Sequence, residues 1–151
     1  IYLDEQTKRN SISMRNSLLR LSEAFAKKGD TLKAIEVLDL SLEKMPIKDF
    51  DHYTLSTGYP EAYYKLGNQE KARETAETLL KVYREKATWL STFDIDDLPL
   101  IEDELQTSFY IFDTIVRNIE LYDNDKDYLQ QKKQSVNEIF RLFSHLMPDE
   151  E

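Results

Sequence analysis

Apolar and polar side chains alternate with a helical period through residues 5–46. Apolar and small side chains recur every three or four residues on one face of a first helix. A glycine that allows the positive φ of a helix C-terminal cap then precedes an aspartate suited to the N-cap of a second helix. The anchors of the pattern are, in order, Leu18, Leu21, Ser22, Phe25, Gly29, Asp30, Ala34, Leu38 and Pro46. This pattern predicts a helical hairpin that Pro46 ends.

The same pattern returns 38 residues later and predicts a second hairpin over residues 53–91. Ala24, Phe25, Gly29, Asp30 and Ala34 are matched by Ala62, Tyr63, Gly67, Asn68 and Ala72. Two unrelated hairpins with similar caps are the alternative, but matches at fixed offsets favour a repeat. The spacing resembles that of the tetratricopeptide repeat, a helix–turn–helix unit of 34 residues. The extra residues fall in the connection between Pro46 and about His52.

The chain is predicted to hold about six helices in one domain, residues 1–151. These helices cover residues 4–28, 31–44, 53–66, 69–91, 98–122 and 126–147. Pro60 predicts a kink or a late start in the third helix. The last two helices form a degenerate hairpin over residues 98–147, either a third repeat or a cap. The expected fold is all-α, with antiparallel hairpins stacked as a right-handed superhelix like that of tetratricopeptide repeats.

Charge and composition exclude several classes of function. The net charge is −9: residues 1–50 carry +1 and residues 51–151 carry −10. A negative field repels phosphate backbones and anionic lipids, so we expect no nucleic-acid partner. No apolar run reaches the roughly 20 residues that span a bilayer, so we expect no direct membrane insertion of this part. The chain opens on Ile1 without a methionine, which suggests a piece of a longer protein.

Candidate metal and catalytic motifs are incomplete. Asp123-x-Asp125-x-Asp127 begins like a calcium loop, but Tyr128 stands where glycine is needed and Gln134 where glutamate is needed. We interpret these aspartates as an acidic helix cap, and the aspartates of residues 94–97 as a solvated linker. His52 and His145 have no partner at metal-ligand spacing, and His145 is expected to be a cation near a helix end. We therefore expect no cofactor, metal or catalytic residue.

Residues that would line a concave face follow from the repeat positions. If the hairpins stack, the first helix of each presents five positions to that face. Those positions are Asn16, Leu19, Glu23, Ala26 and Lys27, followed by Thr54, Thr57, Glu61, Tyr64 and Lys65. The set is mixed in charge and lacks the dense cluster of Lys, Arg and Asn that would grip a peptide carboxylate terminus. The face either binds a peptide or docks on the rest of a parent protein.

Several segments carry a resemblance to a known family. They are Ile1-Tyr2-Leu3-Asp4-Glu5, Leu21-Ser22-Glu23-Ala24, residues 34–39, Met45-Pro46 and residues 61–67. The chain resembles the C-terminal domain of large multi-pass bacterial membrane proteins of the Bacteroides group, which are similar to protein O-mannosyltransferases. The resemblance implies a soluble domain of an inner-membrane protein, facing the periplasm. The transmembrane part is absent here, so no catalytic residue is carried over.

Two functions are consistent with these observations. The first is a non-catalytic protein-interaction or docking module at the C-terminus of a membrane glycosyltransferase-like protein. The alternative is an accessory domain that binds a glycan or an acceptor protein for a protein O-glycosylating enzyme. In that case Glu61, Tyr64 and Trp89 are the candidates for sugar contact, through hydrogen bonds and ring stacking. Neither function makes this part of the chain an enzyme.

Overall fold

The computed structural model describes residues 4–50 and 53–144, and all regular structure in those ranges is helical. The helices are α1 (Glu5–Lys27), α2 (Thr31–Lys44), α3 (Tyr53–Ser56), α4 (Gly58–Lys65), α5 (Gln69–Leu90), α6 (Leu98–Tyr122) and α7 (Lys126–Arg141). A single turn of 3₁₀ helix, Ile95–Asp97, precedes α6. The all-α prediction is confirmed. In the part that the structure describes, no helix has the length and apolar character needed to cross a membrane.

The turns of the first two hairpins are closed by equivalent hydrogen bonds. Gly29 and Gly67 both have positive φ, at 80° and 75°. The N–H of Asp30 donates to the Phe25 carbonyl at 3.0 Å, and 38 residues on the N–H of Asn68 donates to the Tyr63 carbonyl at 2.9 Å. The side chains of Asp30 and Asn68 then accept from the backbone N–H three residues later. The same C-terminal and N-terminal caps therefore form twice, as the sequence predicts.

The predicted third helix is two segments, α3 and α4, separated at Thr57. Pro60 lies in the first turn of α4, where the missing N–H has no helical partner to lose. The late start that the sequence allows at Pro60 is thus observed, with the helix resuming at Gly58.

The chain forms two compact units, Ile1–Leu79 and Leu80–Glu151, and the boundary falls within α5. In the first unit the core cluster consists of Leu38, Tyr59, Tyr63, Tyr64 and Ala72, with Leu19, Ile35, Leu42, Ala62 and Leu66 packed against it. Ala34 and Ala72, the small anchors of the two hairpins, have no exposed surface. The Ser22 hydroxyl donates to the Ala34 carbonyl at 2.9 Å, which joins α1 to α2 at the first of these anchors.

The second unit contains an antiparallel hairpin of α6 and α7 with an aromatic core. Phe109 makes edge-to-face contacts with Phe140 and Phe143, at centroid distances of 4.8 and 5.5 Å. Asp125 caps α7 by accepting from the Tyr128 N–H, so the predicted acidic cap is confirmed. The predicted end of this helix at residue 147 differs from the structure. After Arg141 the backbone N–H groups of Leu142 and Phe143 donate to the carbonyls three residues before them, which ends α7. Residues 145–147 lie outside the described residues.

Candidate functional site

A groove of about 470 Å³ lies between α1 and α4. It is lined by Ser22, Glu23, Ala26 and Lys27 from α1, and by Gly58, Glu61, Ala62, Lys65 and Leu66 from α4 and its C-terminal cap. Both helices are the first helices of their hairpins. The two helices share the lining positions Glu23 and Glu61, and Lys27 and Lys65, whereas their other lining residues are not at equivalent repeat positions.

Small side chains make the room in this groove. Ser22, Ala26, Gly58 and Ala62 are each one helical turn apart on their own helix. The Ser22 hydroxyl is turned inward to the Ala34 carbonyl, so its polar atom is already hydrogen-bonded. A Cβ atom at Gly58 would lie 3.8 Å from Leu19 Cδ1, an ordinary contact. This shows how closely α1 and α4 approach beside the groove.

Charged side chains form the walls in a repeated order. Glu23 and Lys27 on α1 occupy the same repeat positions as Glu61 and Lys65 on α4. Glu61 and Lys65 form an ion pair at 2.5 Å, with both side chains partly exposed. Glu23 and Lys27 are exposed on the α1 wall, where their charges can interact with a ligand in the groove. The groove thus offers two carboxylates and two ammonium groups around a small apolar floor.

A buried arginine holds α1 against the rest of the first unit. Arg15 lies on the same face of α1 as Ser22, and its Nη2 donates to the carbonyl of Met45 at the end of α2. Its guanidinium also lies over the ring of Tyr59 on α4. Burial lowers the pKa of Arg15, and the neighbouring Tyr59 hydroxyl partly offsets this. Tyr59 in turn shares a hydrogen bond with the Ser41 hydroxyl on α2, and burial raises its pKa.

The structure brings together Glu23, Ala26, Lys27, Glu61 and Lys65 from the predicted concave face. The other predicted positions lie elsewhere: Asn16 is exposed on α1 and is not in the groove lining, and neither are Leu19 and Thr54. Thr57 is buried, and its hydroxyl donates to the Thr54 carbonyl at 2.7 Å. Tyr64 is only 9% exposed and belongs to the core cluster, so it presents no ring face to a ligand.

Four lining residues were not predicted from the repeat positions. They are Ser22, Gly58, Ala62 and Leu66. Three of these have small side chains, and a signal for them existed in the sequence. Ser22 and Ala26, like Gly58 and Ala62, are spaced by four residues next to the predicted charged positions. Such a row of small residues marks a helix face that another chain segment can approach closely.

A second cavity, of about 360 Å³, lies beside α2 and the start of α5 in the same unit. On its wall the Tyr63 hydroxyl donates to Asp39 Oδ1 at 2.7 Å, and Lys71 Nζ forms an ion pair with Asp39 Oδ2. Burial, followed by the hydrogen bond to Asp39, raises the pKa of Tyr63 well above its ordinary value. Asp39 already accepts from two donors, the Tyr63 hydroxyl and the Lys71 ammonium. This arrangement links α2, α4 and α5 rather than preparing a base or a nucleophile.

No group of three or more potential metal-ligating side chains lies within residues 4–50 and 53–144. His52 and His145, the two histidines considered from the sequence, lie outside the described residues. Trp89, in the second unit, is 58% exposed and makes an edge-to-face contact with Phe93 at 5.0 Å.

Comparisons with protein-family models, with curated proteins and with solved structures give no match for this chain.

Proposed function

We propose that this chain is a non-catalytic protein-interaction module, and that the groove between α1 and α4 binds a segment of another protein or of its own parent protein. The observation that supports this is the repeated wall of Glu23, Lys27, Glu61 and Lys65 around a floor of small side chains. A small floor lets a peptide main chain or one apolar side chain approach closely. Side chains of both charges then pair with mixed charges on the bound segment.

The proposal includes the stacking of the hairpins as a right-handed superhelix of the tetratricopeptide type. Two features support it: identical caps at Gly29 and Gly67, and the complete burial of Ala34 and Ala72. In repeats of this kind the first helices line the surface that binds ligands. The groove lies between two such helices.

The setting of this module comes from the resemblance described above. We propose that it is the C-terminal domain of a glycosyltransferase-like membrane protein of the inner membrane, exposed to the periplasm. The bound segment would then be a partner protein or another part of the same membrane protein. Sequencing the full gene tests this setting directly, because a parent of that family has about ten apolar spans upstream. Their absence would contradict the setting without affecting the groove.

Peptide selection on the purified protein tests the groove. Peptides enriched from a displayed library are expected to bind the protein and to lose about tenfold or more in affinity with the double variant Glu23→Lys/Lys27→Glu. This exchange inverts the local charge pattern but keeps the net charge and the composition. The side chains are exposed, so the fold is expected to stay intact.

A matched exchange elsewhere in the same unit serves as the control. Glu43 and Lys44 form an exposed ion pair at 2.6 Å at the end of α2, away from the groove lining. The variant Glu43→Lys/Lys44→Glu should bind the selected peptides as the parent sequence does. Equal loss in both variants would mean that binding depends on general charge and not on the groove. A library without enrichment would contradict peptide binding altogether.

A second candidate function is the accessory binding of a glycan, and Trp89 is the observation that favours it. Its exposed ring offers a face for sugar stacking, whereas Tyr64 is buried and offers none. Titrating the protein with oligosaccharides and with unfolded peptides while recording tryptophan fluorescence separates the two functions. Trp89 is the single tryptophan, so the signal is specific. A fluorescence response of the parent sequence to oligosaccharides, with a heat of binding in calorimetry that Trp89→Leu abolishes, would support the glycan function, and no response would oppose it.

A further inference from the structure

Hydrogen bonds to α2 fix the direction of the first helix that walls the groove. Arg15 on α1 donates to the carbonyl of Met45, just after the end of α2. Ser22, seven residues further along α1, donates to the carbonyl of Ala34, near the start of α2. Positions that rise along α1 thus meet positions that fall along α2, and the two helices are antiparallel.

The second wall, α4, is also antiparallel to α2. Tyr59 at the start of α4 shares a hydrogen bond with Ser41, near the end of α2. Tyr63, four residues further on, donates to Asp39, which lies before Ser41 on α2. Because α1 and α4 each run against α2, they run in the same direction as each other.

The two parallel helices are aligned close to the offset of the repeat. A Cβ atom at Gly58, the first residue of α4, would contact the side chain of Leu19 on α1 at 3.8 Å. These two residues are 39 positions apart, one more than the repeat period of 38. Residues at equivalent repeat positions therefore lie at about the same level along the two helices.

The groove consequently has an acidic end and a basic end. Glu23 and Glu61 line it at one level. Lys27 and Lys65 line it four residues further along, a rise of about 6 Å. Glu61 and Lys65 pair with each other, but both are partly exposed, and each keeps further acceptor or donor positions for a ligand. A bound segment is complementary when it carries a basic residue at the first level and an acidic residue at the second.

We propose that the segment bound in this groove is an α-helix that runs antiparallel to α1 and α4. An acidic residue of this helix lies between Lys27 and Lys65. A basic residue four positions later in its sequence lies between Glu23 and Glu61. This inference rests on the proposed function, because it specifies the kind of protein segment that the groove binds.

Macrodipoles and charge order both favour an antiparallel helix. The C-termini of α1 and α4 lie at the same end of the groove, so their dipoles add, and a third helix is stabilised when it runs the other way. Its N-terminus is then at the basic end, and the acidic residue placed there is also favourable for its own dipole. One helical turn between its two charges matches the rise of about 6 Å between the two ends. The floor of Ser22, Ala26, Gly58 and Ala62 has the same one-turn spacing, which suits close packing of a helix.

Selection from a displayed library of alanine-rich helices tests the charge order. Each helix is placed inside a carrier protein, so that no free terminal carboxylate contributes. Enriched helices are expected to carry Glu or Asp four residues before Lys or Arg. Enriched helices with the reverse order, or with none, would overturn this inference and leave the proposed function intact. So would enrichment of flexible peptides alone, whereas no enrichment of helices or of flexible peptides would contradict both.

Reversing charges on both partners locates the acidic residue. An enriched helix, made as an end-blocked peptide, should bind Lys27→Glu/Lys65→Glu about tenfold or more weakly than the parent sequence. Replacing the acidic residue of the peptide with lysine should restore most of this loss. Lys44→Glu/Lys48→Glu makes the same change in net charge at exposed positions outside the groove lining, and should bind the original peptide like the parent sequence. With circular dichroism showing that both variants fold, absence of restoration, or equal loss in the control, would overturn the proposed position.

Cross-linking determines the direction of the bound helix. The chain has no cysteine, so each introduced thiol is unique. Ala26→Cys places a thiol next to the basic end of the groove, and Gly58→Cys places one at the acidic end. A peptide with an N-terminal cysteine should form a disulfide with Ala26→Cys, and one with a C-terminal cysteine should do so with Gly58→Cys. The opposite pairing, or equal yields for all four combinations, would contradict the antiparallel direction.

Discussion

The guanidinium of Arg15 lies 5.3 Å from the centre of the Tyr59 ring, and neither side chain has exposed surface. Arg15 also donates to the carbonyl of Met45, which follows the last turn of α2. That carbonyl lies at the negative end of the α2 dipole. One buried cation therefore joins α1, α2 and α4, the three helices around the groove and the core of the first unit.

Replacing Arg15 should destabilise the protein strongly. Arg15→Ala removes a fully buried side chain and leaves the Met45 carbonyl without this donor. We expect the free energy of unfolding to fall by about 2–4 kcal/mol. Arg20→Ala, on the exposed side of the same helix, should change it by less than about 0.5 kcal/mol. Urea unfolding measures both values. Similar stabilities for the two variants would mean that Arg15 does not join these helices in solution.

Enlarging the small anchor residues should also be costly. Ala34 and Ala72 are fully buried in the two hairpins, so Leu at either position must displace packed neighbours. We expect each substitution to lower the free energy of unfolding by about 1–3 kcal/mol. Ala24→Leu, on the exposed face of α1, is the control and should be nearly neutral. A tolerant Ala72→Leu would indicate that the second hairpin is not closely packed at its anchor.

Local features of this fold could be predicted from the sequence, because their causes lie within a few residues. The bounds of α2 agree with prediction to the residue, since Asp30 begins the helix and Met45-Pro46 ends it. The two turns agree because positive φ at Gly29 and Gly67 is a local requirement. A kink or a late start at Pro60 was also expected, and the break lies just before it, at Thr57.

Features that depend on distant residues could not be predicted. An arginine at position 15 is ordinarily expected in water, and only Met45 and Tyr59, far along the chain, make its burial favourable. The concave face was predicted only in part for a related reason. The repeat positions place Thr57 on the concave face, whereas its side chain is buried. They also give no account of the Tyr64 ring, which packs in the core cluster.

Gly67 and Gly58 should respond in opposite ways to alanine. Gly67 has φ of 75°, a conformation that costs an L-residue about 1–2 kcal/mol, so Gly67→Ala should destabilise the protein by that amount. Gly58 lies in the first turn of α4 without positive φ, and an added Cβ finds an ordinary contact. Gly58→Ala should stabilise the protein by about 0.5–1 kcal/mol, because alanine loses less backbone entropy on folding. Thermal unfolding of both variants distinguishes these effects, and the same sign for both would contradict the assigned turn.

The stability of the protein should fall above about pH 10, and Tyr63 should account for part of the fall. Burial and the hydrogen bond to Asp39 raise the pKa of Tyr63 in the folded state, whereas the unfolded chain has the ordinary value near 10. Below pH 10 both states keep the proton, and Tyr63 adds its full contribution. Above pH 10 the unfolded state loses the proton and the folded state keeps it. The free energy of unfolding then decreases by about 1.4 kcal/mol per pH unit for this one group.

Tyr63→Phe removes that titrating group and should make the alkaline slope of stability shallower by the same amount per pH unit. It should also lower stability at pH 8 by about 1 kcal/mol, since the hydrogen bond to Asp39 is lost. Tyr110→Phe replaces an exposed tyrosine and serves as the control for the slope. Urea unfolding between pH 8 and 11 provides the slopes, and tyrosinate absorbance reports ionisation directly. If Tyr63→Phe and the parent sequence lose stability in parallel above pH 10, Tyr63 does not hold its proton in the folded state, and its contact with Asp39 is not maintained in solution.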